Sequence, residues 1–183
     1  MTDTTTAGDS TSRVDAYATA LVEVAKAEGA LETVENELFT MARTLESSDE
    51  LRSTLTDARI PAEARQAVVE KLLGDRAHPT TTALVSFVVG AGRARDLPAI
   101  VDRLVERSAS GRGQEVAEVR SAMPLDDTQR TRLAEALGKA TGKQVSVKVI
   151  VDPSVLGGLV ARVGDTVIDG SVRHRLTQLK AAL

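Results

Sequence analysis

Residues 108–121 read Ser-Ala-Ser-Gly-Arg-Gly-Gln-Glu-Val-Ala-Glu-Val-Arg-Ser, and the pattern of the chain changes across them. Five of the first six residues are Ser, Ala or Gly, which is typical of a flexible linker. The residues from Glu115 to Ser121 favour a β-strand. This stretch therefore predicts a boundary between two kinds of structure, with a linker at residues 108–113.

Upstream of the boundary, apolar residues recur at steps of three and four, as on one face of an amphipathic helix. Six such stretches follow one another, separated by Gly, Ser and Pro residues that begin or end helices. Residues 13–107 are therefore predicted to form a six-helix bundle. Residues 1–12 are polar, and we expect them to form a disordered tail.

Downstream of the boundary, short strands are expected beside helices. Asp126 is a good N-cap for a helix that ends at Gly142, and residues 145–151 are rich in valine at alternate positions. Gly164-Asp165 predicts a hairpin turn, and Ser171 would cap a last helix. Residues 114–183 are therefore predicted to form a small α+β domain. The fold class is mainly α, a six-helix bundle followed by this domain.

Composition excludes several classes of site. The chain has no Cys, so disulfides, thiolate metal sites and cysteine nucleophiles are ruled out. The net charge of −3 does not favour nucleic acid as a partner. The charge is uneven, because residues 13–107 sum to −4 and residues 108–183 to +3. This difference indicates separate partners or ordinary scatter. No apolar run is long enough to span a bilayer, so no direct membrane insertion is expected.

The glycine-rich region after residue 155 could be taken for a phosphate-binding loop. It lacks the Gly-Lys-Ser/Thr step of a Walker loop and the three spaced glycines of a dinucleotide site. Turns and a bulge between strands explain it better, and no cofactor is expected. The residues assigned to structural turns are Gly157, Gly158, Gly164, Asp165 and Gly170.

Neither histidine is accompanied by the residues that a metal or catalytic site needs. His78 precedes a proline in a turn, and His174 lies between two arginines. We expect no catalytic and no metal-binding residues. The basic cluster around His174, which includes Lys180, is interpreted either as a solvated helix face or as a surface for an acidic protein segment.

Residues 152–180 contain glycine and charged residues at defined spacings, and this motif is more specific for one protein family than any of the features above. It contains Gly157-Gly158, Arg162-x-Gly164-Asp165, Asp169-Gly170-Ser171 and Arg175-Leu176. The pattern closely resembles the C-terminal signature of the ATP synthase delta subunit family, the bacterial counterparts of the mitochondrial oligomycin-sensitivity-conferring protein. Near the start, residues 17–21 resemble the Tyr-Ala-x-Ala-Leu of that family. Arg95-Asp96 departs from the family pattern, since relatives often have more apolar residues at these two positions.

The resemblance implies a non-catalytic stator subunit at the cytoplasmic face of the plasma membrane, present in one copy per complex. It implies that the six-helix bundle binds the N-terminal helices of the alpha subunits of the catalytic head. It also implies that the second domain binds the C-terminus of a b-type stalk subunit. Residues expected at the stalk contact are Val172, Arg173, Arg175, Leu176, Leu179 and Lys180.

In the resembled family, one alpha-subunit helix lies in a groove between the first and fifth helices. The residues expected at this groove are Tyr17, Ala20, Leu21, Leu84, Phe87 and Val88. Small alanine side chains would let a helix approach, and the two aromatic rings would anchor it. Both rings could instead belong to the core of the bundle, and the sequence leaves the two alternatives open.

Two other functions remain as alternatives. One is an α+β adaptor that binds RNA, and the other is an enzyme whose site is not recognised. RNA binding would show as a salt-sensitive interaction, and an enzyme would show turnover that a point substitution removes.

Overall fold

The computed structural model describes residues 4–155 and 158–169. Within them lie seven α-helices and four strands. The helices are α1 (Thr4–Ala27), α2 (Leu31–Ser47), α3 (Asp49–Thr56), α4 (Ala62–Leu73), α5 (Pro79–Gly90), α6 (Leu97–Gly111) and α7 (Asp127–Thr141). The strands are β1 (Glu115–Ser121), β2 (Val145–Val151), β3 (Leu159–Val163) and β4 (Thr166–Asp169). The predicted fold class, mainly α with an α+β part, is confirmed.

The chain divides into two compact units, Met1–Arg107 and Ser108–Leu183. In the first unit, the apolar stripes predicted from three- and four-residue spacing are buried, as on α2 and α6. Because the unit contains few aromatic residues, leucine, valine and alanine fill its core. The largest fully buried apolar side chains of this unit are Leu38, Leu45, Leu55, Leu97, Ile100, Leu104, Val34, Val69, Val85, Val88 and Val89.

Helix boundaries in the first unit follow local chemistry. The Ser48 hydroxyl accepts a hydrogen bond from the amide of Leu51 at 3.2 Å, which caps α3. Pro79 is the first residue of α5, where its missing amide proton costs nothing, and the ring nitrogen Nδ1 of His78 accepts from the amide of Thr80. His78 is thus a helix cap.

In the second unit, the sheet has the strand order β2-β1-β3-β4. Strand β1 pairs in parallel with β2, and α7 connects them, whereas β1 pairs antiparallel with β3. Asp126 and Gln129 form a capping box at the start of α7, and Gly142 ends the helix in the left-handed conformation. One face of the sheet packs against α7. Its buried core consists of Ala117, Val119, Leu137, Val145, Ala161 and Val163.

The structure differs from the sequence-based boundaries at two places. Helix α1 begins at Thr4, within the segment expected to be a disordered tail, and α6 continues to Gly111, through most of the expected linker. Extending a formed helix adds one hydrogen bond for each residue fixed, so polar residues join a helix that apolar packing has already nucleated. Ser108 and Ala109 are buried, which explains why α6 does not end before them.

Candidate functional site

Helices α1 and α5 of the first unit meet through their two aromatic residues. The ring centroids of Tyr17 and Phe87 are 5.9 Å apart, and the ring planes are inclined by 38°. This distance falls within the range of favourable aromatic pairs. Phe87 nevertheless exposes 58% of its surface, and Tyr17 is half-buried. The pair therefore lies at the surface of the bundle and not in its core.

The six residues predicted for this groove separate into two groups. Leu21, Leu84 and Val88 are buried and belong to the core beneath the surface. Ala20 is exposed on α1, as Phe87 is on α5. The structure thus brings both helices together, but only the aromatic pair and Ala20 are available to a partner.

Two exposed residues on these helices were not predicted. Val24 lies seven positions after Tyr17, on the same side of α1, and exposes 43% of its surface. Ala83 is exposed and lies four positions before Phe87, hence on the same side of α5. Helical spacing alone could have indicated both residues, because each is one or two turns from an aromatic residue already selected. We call Tyr17, Ala20, Val24, Ala83 and Phe87 together the α1–α5 patch.

Contacts to the neighbouring helices hold α1 and α5 in place. The guanidinium of Arg103 on α6 pairs with the carboxylate of Asp15 on α1 at 3.0 Å. At the start of α5, the Glu37 carboxylate of α2 accepts hydrogen bonds from the amide of His78 at 2.9 and 3.1 Å. The same carboxylate accepts from the buried hydroxyl of Thr81 at 2.5 Å. The two helices that carry the α1–α5 patch are therefore held in place by contacts with α6 and α2.

The α1–α5 patch offers apolar surface and no reactive groups. In the described part of the chain, no three His, Cys, Asp or Glu side chains lie close enough together to hold a metal ion. Among the same residues, no helix is both long and apolar enough to cross a membrane. Such a patch can bind the apolar face of another helix.

One clearly displaced pKa lies elsewhere, in the loop before α4. The side chain of Arg59 donates hydrogen bonds to the Asp57 carboxylate, and the amide of Arg59 donates another. These contacts lower the pKa of Asp57 from 3.8 to about 2, the side-chain hydrogen bonds having the larger effect. The pair is local, with Arg59 exposed and Asp57 half-buried, and it stabilises the loop.

The second unit contains part of the predicted turns. Val163 pairs with Thr166, so Gly164 and Asp165 form the two-residue loop between β3 and β4. Gly164 has a φ of +55°, which explains the preference for glycine there. Gly158 precedes β3 with a φ of +104°. Outside the described residues lie Gly157, Gly170, His174 and the predicted stalk contacts Val172, Arg173, Arg175, Leu176, Leu179 and Lys180.

Comparison with known proteins shows to which protein family the chain belongs. The family profile described as ATP synthase delta (OSCP) subunit matches residues 14–183. The chain belongs to this family. The family resemblance inferred from the glycine and charged residues of the 152–180 motif is therefore confirmed.

Similar proteins in this family come from several bacteria. The ATP synthase subunit delta of Nocardia farcinica is 43% identical over 164 residues, which cover 90% of this chain and 61% of that protein. The subunit delta of Streptomyces griseus is 42% identical over 160 residues, which cover 87% and 59%. The ATP synthase subunit b-delta of a Mycobacterium species is 41% identical over 150 residues, which cover 82% and 34%. The chain thus spans about three fifths of the length of the subunit delta relatives.

A solved structure also matches the delta-family fold. One chain of the mitochondrial ATP synthase hexamer of Toxoplasma gondii superimposes with a TM-score of 0.53 at 25% identity. The match covers 92% of this chain and 96% of that one. The likeness therefore includes both units.

Proposed function

We propose that this chain is the delta subunit of a bacterial F-type ATP synthase, where it acts as a non-catalytic adaptor of the stator. In this role it links the alpha subunits of the catalytic head to the b-type peripheral stalk, and it resists the torque of the rotor. Membership of the delta (OSCP) family supports the proposal. The relatives named ATP synthase subunit delta are bacterial, which supports the cytoplasmic face of the plasma membrane as the proposed location.

The observation that carries the proposal is the exposure of Phe87 beside Tyr17. Phe87 and Val24 are both large apolar residues with more than two fifths of their surface exposed, and aromatic anchors are common among residues that dominate binding. The small side chains of Ala20 and Ala83 flank the rings and allow a helix backbone to approach closely. An N-terminal helix of an alpha subunit is the partner that we propose for the α1–α5 patch.

We assign the stalk contact to the second unit. The name of the Mycobacterium relative joins b and delta in one protein, which supports a close association between this chain and a b-type subunit. The positive charge of residues 108–183 suits an acidic partner segment. One copy of the chain per complex is sufficient to join one head to one stalk.

Reconstitution of purified catalytic head and b-type stalk, with and without this chain, tests the proposal. We expect head and stalk to remain together on a sizing column only when the chain is present. The chain carrying Ala20→Arg, which places a charge in the α1–α5 patch, should retain the stalk but lose the head. Equally firm joining of head and stalk without the chain would refute the function. Binding of RNA that weakens with salt, or substrate turnover, would favour the two alternative functions.

A further inference from the structure

The first unit also contains a cavity, and none of its lining residues belongs to the α1–α5 patch. The cavity has a volume of about 340 Å³ and lies between α2, α3 and the end of α4, and we call it the α2–α4 cavity. This volume falls at the lower end of the range, about 300–1,000 Å³, that is typical of small-molecule sites. The lining of the cavity includes the apolar residues Met41, Leu51, Leu72 and Leu73 and the charged residues Glu37 and Arg76.

The walls of the cavity are mainly apolar. Met41 is buried, Leu51 and Leu73 are half-buried, and Leu72 exposes 38% of its surface, so the wall that it forms reaches solvent. Apolar surface of this kind gains free energy when a ligand covers it, at roughly 25 cal/mol for each Å² removed from water. The cavity can therefore hold a compact apolar group.

Two charged side chains line the cavity, those of Glu37 and Arg76, and they differ in their contacts. The carboxylate of Glu37 is already the acceptor of hydrogen bonds from His78 and Thr81. Arg76 is exposed, and its guanidinium has no hydrogen-bond or ion-pair partner among residues 4–155 and 158–169. The guanidinium of Arg76 is thus available to an anion at the cavity, while the Glu37 carboxylate is held by hydrogen bonds at the start of α5.

We propose that the α2–α4 cavity binds a small amphipathic anion, with the apolar body between Met41 and Leu72 and the anionic group at Arg76. The ligand would contact α2, α3 and α4 together. Since a ligand that binds only the folded state stabilises it, occupancy would raise the melting temperature of the first unit. This site is separate from the α1–α5 patch and does not depend on the proposed stator function.

Octanoate, with 1-octanol as a neutral probe of the same chain length, tests the proposal on the full chain. We expect octanoate to cause saturable shifts of amide resonances in residues 36–44 and 72–77, and to bind more tightly than 1-octanol. Arg76→Gln should weaken octanoate binding by roughly threefold, as for an exposed ion pair, and leave 1-octanol unaffected. Leu72→Gln should weaken both probes.

Arg95→Gln is the matched control, because Arg95 is an exposed arginine of the same unit outside the cavity. It should leave both affinities unchanged. Thermal unfolding of each variant checks the fold, and since Arg76 and Leu72 are exposed we expect the fold to persist. Absence of saturable shifts in the cavity residues, or shifts confined to the α1–α5 patch, would overturn the site. Equal affinity for octanoate and 1-octanol in the unsubstituted chain would overturn its preference for anions.

Discussion

The ring of Phe87 on α5 lies 5.9 Å from the ring of Tyr17 on α1, at the surface of the helical unit. Tyr17 contacts Phe87, and more than half of the phenylalanine remains in contact with solvent. The contact fixes the position of an apolar ring that a partner can cover. If the proposed partner helix docks on Phe87, a ring already held in place loses less entropy on binding.

Substitution Phe87→Ala should weaken binding of a peptide from the N-terminal segment of the alpha subunit by more than ~1 kcal/mol, or about fivefold. The physical reason is loss of the exposed anchor, while the core beneath it is preserved. Isothermal titration calorimetry measures the affinity. The matched control is Leu72→Ala, which removes an exposed apolar side chain on α4 and should leave peptide binding unchanged. Unaltered affinity of a folded Phe87→Ala chain would contradict the placement of the helix.

Substitution Ala20→Arg should reduce the affinity for the same peptide by roughly tenfold or more, because a long charged side chain blocks close helix approach. Ala20 is exposed, so the free energy of unfolding should change by no more than about 0.5 kcal/mol. Ala99→Arg makes the same change at an exposed alanine of α6 and serves as the control. If both arginine variants bind equally well, the α1–α5 patch is not the binding surface.

Substitution Glu37→Ala should lower the free energy of unfolding by about 1–3 kcal/mol. The carboxylate accepts from the amide of His78 and from the hydroxyl of Thr81, and its removal leaves the fully buried hydroxyl without this acceptor. Urea unfolding followed by circular dichroism measures the change. Glu32→Ala, at an exposed glutamate of the same helix, should change stability by less than about 0.5 kcal/mol. Equal midpoints for the two variants would show that the Glu37 contacts contribute nothing.

The carboxylate of Asp57 should titrate with a pKa of about 2, below its ordinary value of 3.8, because hydrogen bonds from Arg59 favour its charged form. Its contribution to stability is thus fully present above pH 3.8 and is lost as the pH falls through about 2. Carbon-detected NMR of the carboxyl group measures the titration.

Arg59→Ala should raise the pKa of Asp57 only part of the way toward 3.8, since the backbone amide at position 59 still donates to the carboxylate. A titration midpoint that does not move would show that the side chain of Arg59 is not the main cause of the shift. The exposed pair Arg130–Asp127 offers a control, because Arg130→Ala should leave the titration of Asp57 unchanged.

Local signals in the sequence were sufficient for most element boundaries of the described residues. Pro79 and Gly142 begin and end helices through the φ angles that their backbones permit, and the cap at Asp126 lies where its side chain predicts. The strand at residues 145–151 was predicted from valine content and alternation, and its bounds agree with the structure. The glycine and charged residues of the C-terminal motif also indicated the family to which the chain belongs.

Other features were decided by tertiary packing. The valine pattern of β2 does not show that Lys148, between two valines, exposes only 4% of its surface. The spacing on α5 placed Leu84, Phe87 and Val88 together, yet only packing against the neighbouring helices separates the exposed ring from the two buried side chains. The pairing of β1 with both β2 and β3 is likewise a property of the assembled sheet.

The sequence by itself indicated the family of the chain and, within the described residues, the positions of most helices and strands. Turns, caps and periodicity act over a few neighbouring residues and can therefore be recognised in the sequence. The tertiary structure alone decided which apolar side chains remain exposed and where a cavity opens. Burial depends on contacts between segments far apart in the chain, and no local pattern records them. The ring of Phe87 illustrates this reason, because the residue that it contacts, Tyr17, belongs to another helix and Phe87 still exposes more than half of its surface.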